Sequence, residues 1–175
     1  LHLTIAAMPV PQVECDVLIL AGDVARPQQA IDWARQWTVP VIYVPGNNEF
    51  YGGSLSGTLA ALRQQAHGSN VHVLDREEIR IGGVRFLGCT LWTDFRLFPT
   101  AALREASVAE ACQSMRDFSR IMVDDAAEVL FSPAMSQQIF DQSVRWLDEK
   151  FTEPCSDVTV VVTHHAPSRG SINPK

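Results

Sequence analysis

Apolar positions along this chain follow two rhythms, a continuous one and a helical one, and their alternation predicts the order of its elements. Residues 16–21 carry a short run rich in branched aliphatics, which predicts a strand buried on both faces and ending at Gly22-Asp23. Pro27 stands where a first helical residue belongs, and Ala30, Ile31, Trp33, Ala34 and Trp37 then recur at helical spacing before Pro40. Val41–Val44 predicts a second buried strand, closed by Pro45-Gly46-Asn47-Asn48-Glu49. Strand, helix and strand within about thirty residues make a βαβ unit, which calls for a parallel sheet.

Beyond this unit Leu55, Leu59, Leu62 and Ala66 mark another helix, stopped by Gly68, and residues 71–74 give a third strand. Residues 79–81 and 84–87 flank Gly82-Gly83, a two-residue hairpin signal, so the pattern turns antiparallel there. Residues 101–122 read as helical after a loop at 94–100, and Ser132-Pro133 opens a further helix that continues to about residue 151. Val158–Thr163 predicts a last buried strand, ending at His164-His165-Ala166-Pro167. The expected class is α/β, with neither an internal repeat nor an interdomain linker.

Three of the predicted strands end in a residue of metal-ligating type: Asp23, Asn47 and His164. Each alone reads as a turn or loop residue. Ligands of α/β sheets bind beyond the carboxyl ends of the strands, where a carboxylate, an amide oxygen and an imidazole brought together at one sheet edge suit divalent cations. Gly53-Ser54-Leu55-Ser56-Gly57 does not mark a serine hydrolase, because Leu55 holds the position where G-x-S-x-G requires the nucleophile.

The order of these segments resembles the calcineurin-like metallophosphoesterase family, whose signature runs D-x-H, G-D, G-N-H-[DE], a His after a strand, then G-H-x-H. Gly22-Asp23 resembles the second block and Gly46-Asn47-Asn48-Glu49 the third, with Asn48 where the family has its catalytic His. Thr163-His164-His165-Ala166-Pro167 resembles the fourth block, and Leu1-His2-Leu3 the end of the first. The resemblance implies a layered fold of mixed β-sheets flanked by helices, here one domain over residues 1–175. It also implies a chain incomplete at both ends, lacking the start of the first block and the G-H-x-H segment. By the same resemblance Asp23 would bridge two divalent metal ions (Mn, Fe, Zn or Co), with His2 on one and Asn47 and His164 on the other; His165 is the alternative to His164. The implied activity is hydrolysis of a small phosphate monoester or diester, impaired because an amide cannot deliver a proton near neutral pH as an imidazole can. The alternative is a binding or scaffold homologue that has lost the metals.

Composition changes this picture little. With 46% hydrophobic and 19% charged residues, the 175-residue chain has the makeup of an ordinary globular domain. A formal net charge of -6 without a Lys/Arg cluster leaves no footprint for nucleic acid, and no apolar run is long enough to span a bilayer. Cys15, Cys89, Cys112 and Cys155 lie far apart and form no C-x-x-C pair, which suits reduced thiols and a cytoplasmic location. Phe50, Tyr51 and residues 92–95 are candidates for either a substrate wall or core packing, and Arg169 for either a phosphate contact or a solvated loop position.

Overall fold

The computed structural model describes residues 1–126 and 129–171. The first half of the chain forms β1 (Leu18–Ala21), α1 (Pro27–Ala34), β2 (Val41–Val44), α2 (Leu55–Ala66), β3 (Val71–Val73), β4 (Glu77–Ile81) and β5 (Val84–Cys89). The second half adds α3 (Ala101–Ser114), α4 (Asp117–Arg120), α5 (Pro133–Thr152) and β6 (Val158–Thr163). The result is an α/β structure with two three-stranded sheets, ordered β1-β2-β3 and β4-β5-β6. All pairs in the first sheet are parallel; in the second, β4 and β5 are antiparallel about Gly82-Gly83, and β5 and β6 are parallel.

Strand β2 shows how the layers form. Side chains alternate between the two faces of a strand, so Val41 and Tyr43 join Ile31, Trp33 and Leu62 under α1 and α2, whereas Ile42 and Val44 meet Phe86 and Val162 of the second sheet. Burying each such side chain is worth about 1.5–3 kcal/mol. On the opposite face of β5, Arg85 donates to the Lys150 carbonyl at the end of α5 (3.2 Å). The layers therefore run helix, sheet, sheet, helix. Ser132 Oγ accepts from Met135 N at the expected start of α5, and Ser54 Oγ likewise accepts from Gly57 N at the start of α2.

The structure corrects four expectations. First, β1 and β6 are edge strands, so Ile19 and Val161 are exposed although both lie in continuous apolar runs. Second, α1 stops at Ala34, and residues 35–37 continue as a tighter turn in which Gln36 N donates to Trp33 O and Trp37 N to Ala34 O. Third, residues 101–122 are not one helix. Met115 is extended (φ -88°, ψ 129°); after the short α4, Met122 N donates to Gly53 O, Met122 O accepts from Leu55 N, and Ile121 O accepts from Phe131 N, so the chain turns from helical to cross-chain partners there. Fourth, the strands that carry Asp23, Asn47 and His164 belong to two sheets instead of one.

Stacking nevertheless brings their carboxyl ends together. Register pairs Ala21 with Val44, so β1 and β2 release their loops at the same level. Two bonds clip the second sheet to that level: Thr90 Oγ1 donates to Pro45 O (2.8 Å), and His164 Nδ1 lies 2.8 Å from Ala21 O. Among the described residues, no helix is long and apolar enough to cross a membrane.

Candidate metal centre

Asp23 follows β1 in a left-handed conformation (φ 54°), which Asp tolerates better than most residues. Its carboxylate stands between two imidazoles. His164 Nε2 is 3.5 Å from Oδ1 and His2 Nε2 is 3.6 Å from Oδ2. Beyond β1, His2 N donates to Asp23 O (2.8 Å) and Leu3 N to Val24 O (2.7 Å), which brings His2 alongside Asp23. The two sides differ in enclosure, since the side chain of His164 is 16% exposed and that of His2 50%.

Room for this approach comes from two glycines. A Cβ on Gly22 would strike His164 Nδ1 and the Gly46 backbone, and one on Gly46 would strike Asp23. Gly22 also has φ 84°, where a side chain is strained.

The tautomer of His164 follows from its partner. A backbone carbonyl only accepts, so Nδ1 carries the proton toward Ala21 O, and in the neutral ring Nε2 presents a lone pair. That lone pair faces Asn47 Oδ1 at 3.1 Å and Asp23 Oδ1 at 3.5 Å, and both oxygens are acceptors. With the Asn47 amide oxygen held toward His164, a second ring proton or a cation between these atoms makes the arrangement attractive. Imidazole nitrogen, amide oxygen and carboxylate oxygen are a donor set for divalent transition metals, so the residues present fit such an ion. Among the described residues, His, Cys, Asp and Glu alone form no group of three or more set to hold a metal; the shell here draws on the Asn47 amide as well.

Asn48 occupies the same carboxylate. Its backbone N donates to Asp23 Oδ1 (3.1 Å) and its side-chain Nδ2 donates to Asp23 Oδ2. His2, Asp23, Asn47, Asn48 and His164 are thus gathered in one place. His165 lies edge-on to the His164 ring at 4.9 Å but takes other partners: its Nδ1 is 3.1 Å from Thr90 O and its ring stacks on Trp92 at 5.5 Å. Burial, foremost, lowers the His165 pKa and favours the neutral ring.

Other candidates resolve by location. Phe50 and Trp92 pack with Ile121 and Phe131 in the core, and Trp92 is held left-handed (φ 66°) beside an equally left-handed Leu91 (φ 70°). Arg169 is exposed and donates to Leu97 O (2.7 Å). A recess of about 80 Å³ opens beside His2, Asp23, Asn48 and Tyr51. A cleft of about 360 Å³ is lined by His165 together with Trp92, Phe140, Pro167 and Arg169.

Sequence reasoning missed two acidic residues. Glu49 is 2% exposed and accepts four hydrogen bonds: from Asp23 N (3.0 Å), Val24 N (2.6 Å), Gly46 N (2.8 Å) and Tyr43 OH (2.9 Å). It ties the loop after β1 to the loop after β2. Asp117, also 2% exposed, accepts from Asn47 Nδ2 (2.8 Å) and Tyr51 OH (2.6 Å). Burial, then Asp117, raise the Tyr51 pKa well above its ordinary value, so the phenol stays a donor. An acidic residue inside the third block was a legible signal for Glu49; within the helical reading nothing marked Asp117. No protein-family model, curated protein or solved structure matches the chain, and what the site can do follows from its own atoms.

Proposed function

We propose that the chain is a metal-dependent phosphoesterase domain of the calcineurin-like kind, hydrolysing a small phosphate ester, with its cations held about Asp23. The observation that carries this reading is the convergence of the His164 Nε2 lone pair on Asn47 Oδ1 and Asp23 Oδ1. Two divalent cations would supply positive charge against the phosphate oxygens and acidify a water. Asn47 and His164 would bind on one side of Asp23 and His2 on the other. Ala21 O fixes the His164 ring, Gly22 and Gly46 allow the close approach, and Glu49 holds both loops in place. The neighbouring cleft is of a size for the organic part of a small ester.

Asn48 sets the expected rate. Its amide donates hydrogen bonds and cannot transfer a proton to a leaving oxygen near neutral pH, so general acid catalysis worth about 10²–10⁴-fold is missing. Its grip on both oxygens of Asp23 favours a second reading, a binding homologue without catalysis. Two measurements separate the readings. Asn48→His should raise hydrolysis of an aryl phosphodiester or monoester with Mn²⁺ by about 10²-fold or more. Elemental analysis should find two ions per chain for the hydrolase and none for the binding homologue. Equal rates for both variants across a substrate panel would sink the hydrolase.

A further inference from the structure

We infer that Asp117 is a positioning residue: with Tyr51 it holds the Asn47 amide so that its oxygen, and not its nitrogen, faces His164 and the cation place. The inference rests on the metal reading above and adds to it the residue that selects the ligand atom.

An Asn side chain has nearly the same shape after a half-turn of its amide, so partners and not packing decide which atom points where. On one side of Asn47 stand only acceptors for its nitrogen. Asp117 Oδ1 lies 2.8 Å from Nδ2, and the Tyr51 oxygen lies 3.1 Å from it. Tyr51 spends its own proton on Asp117 (2.6 Å), which leaves its oxygen free to accept. Nδ2 has two hydrogens and these two acceptors. A half-turn would press the amide oxygen against a carboxylate and a phenolic oxygen.

The other side of Asn47 shows why this selection is needed. There the His164 lone pair, 3.1 Å from the amide oxygen, would welcome an amide NH₂. Without Asp117 the turned amide would donate to His164 Nε2 and occupy the ligand nitrogen with its own hydrogen. Asp117 makes that orientation the unfavourable one.

The placement of Asp117 supports a role beyond packing. It is almost wholly buried at the start of α4, and among the described residues no cationic side chain is paired with it. A buried carboxylate without a counter-charge is a poor way to stabilise a fold, since an apolar residue there is often as good or better. Its recorded side-chain partners are the two groups that orient the ligand atom, Asn47 and Tyr51.

The test is Co²⁺ titration followed by absorption, with the Asn47 side-chain NH₂ followed by NMR in the cation-free protein. Asp117→Ala should weaken Co²⁺ by about 10- to 100-fold, the usual effect of losing an outer partner of a ligand, and should shift the Asn47 NH₂ signals. Asp117→Asn, whose amide oxygen still accepts, should restore affinity to within about threefold of wild type. Unchanged affinity and unchanged Asn47 signals in a folded Asp117→Ala protein would overturn the inference, as would equal losses in the Ala and Asn variants. If Asp117→Ala does not fold, Tyr51→Phe decides: a shift of the Asn47 signals with about two- to threefold weaker Co²⁺ supports the inference, and movement in neither overturns it. If wild type takes up no Co²⁺, the metal reading fails and the cation role of Asp117 with it; the Asn47 signals still report whether Asp117 sets the amide.

Discussion

Glu49 and Asp23 are neighbouring carboxylates with opposite surroundings. Glu49 accepts from three backbone N–H groups and a phenol, and the Asp23 backbone N–H is one of them. Among the described residues the Asp23 carboxylate takes its donors from Asn48 and otherwise faces two imidazole nitrogens across gaps of 3.5 and 3.6 Å. A carboxylate saturated by fixed donors is a strut, because any change of partner costs a buried hydrogen bond. One that faces the His164 lone pair is open to a cation. The same pair of loops thus keeps its rigidity and its chemistry on separate residues.

The sharpest way to break this contrast is at Glu49, where the largest effect is expected. Glu49→Ala orphans four donors, most of them buried, at about 1–3 kcal/mol each. Against a total stability of about 5–15 kcal/mol, that variant should be largely unfolded in chemical denaturation. Glu49→Gln is no rescue. Oε1 accepts from Val24 N and Oε2 from Asp23 N and Gly46 N, so whichever way the amide is turned a backbone N–H meets an NH₂. A Glu49→Ala protein that keeps its melting midpoint would mean that the loops are held elsewhere.

Asp23 should give the opposite result. Asp23→Asn removes charge from the place where two cations would meet, so metal uptake should fall below measurable stoichiometry by elemental analysis. Folding stability should change by about 1 kcal/mol or less, since only Asn48 loses an acceptor. Retained metal with lost stability would reverse the roles assigned to the two carboxylates.

That division was only half legible in the sequence. Asp23, Asn47 and His164 stand at the ends of apolar runs, and strand ends converge, so their meeting could be read from periodicity even though the sheets turned out to be two. Glu49 draws most of its partners from backbone N–H groups, which leave no mark on the sequence. Asp117 meets Asn47 and Tyr51 across 70 and 66 residues, and its neighbours keep a helical spacing that hid the break at Met115. Runs of Val and Ile likewise cannot tell a central strand from an edge, which is why the exposure of Ile19 and Val161 came as a correction.

The finest test of the contrast lies at Tyr43, whose hydroxyl is a side-chain donor to Glu49. Burial first, then Glu49, raise the Tyr43 pKa well above its ordinary value, so its hydroxyl donates throughout the physiological range. Tyr43→Phe keeps the ring in the core beneath α1 and α2 and removes only that hydroxyl. Glu49 Oε1 then still accepts from Val24 N, and Oε2 keeps both of its backbone partners. If the backbone donors make the strut, the loss in denaturant unfolding should be about 1.5–3 kcal/mol, the worth of one hydrogen bond to a charged group, with metal uptake unchanged. A loss as large as that of Glu49→Ala would assign the rigidity to the phenol, and a loss of metal alone would show that Glu49 and Asp23 are coupled and not separate.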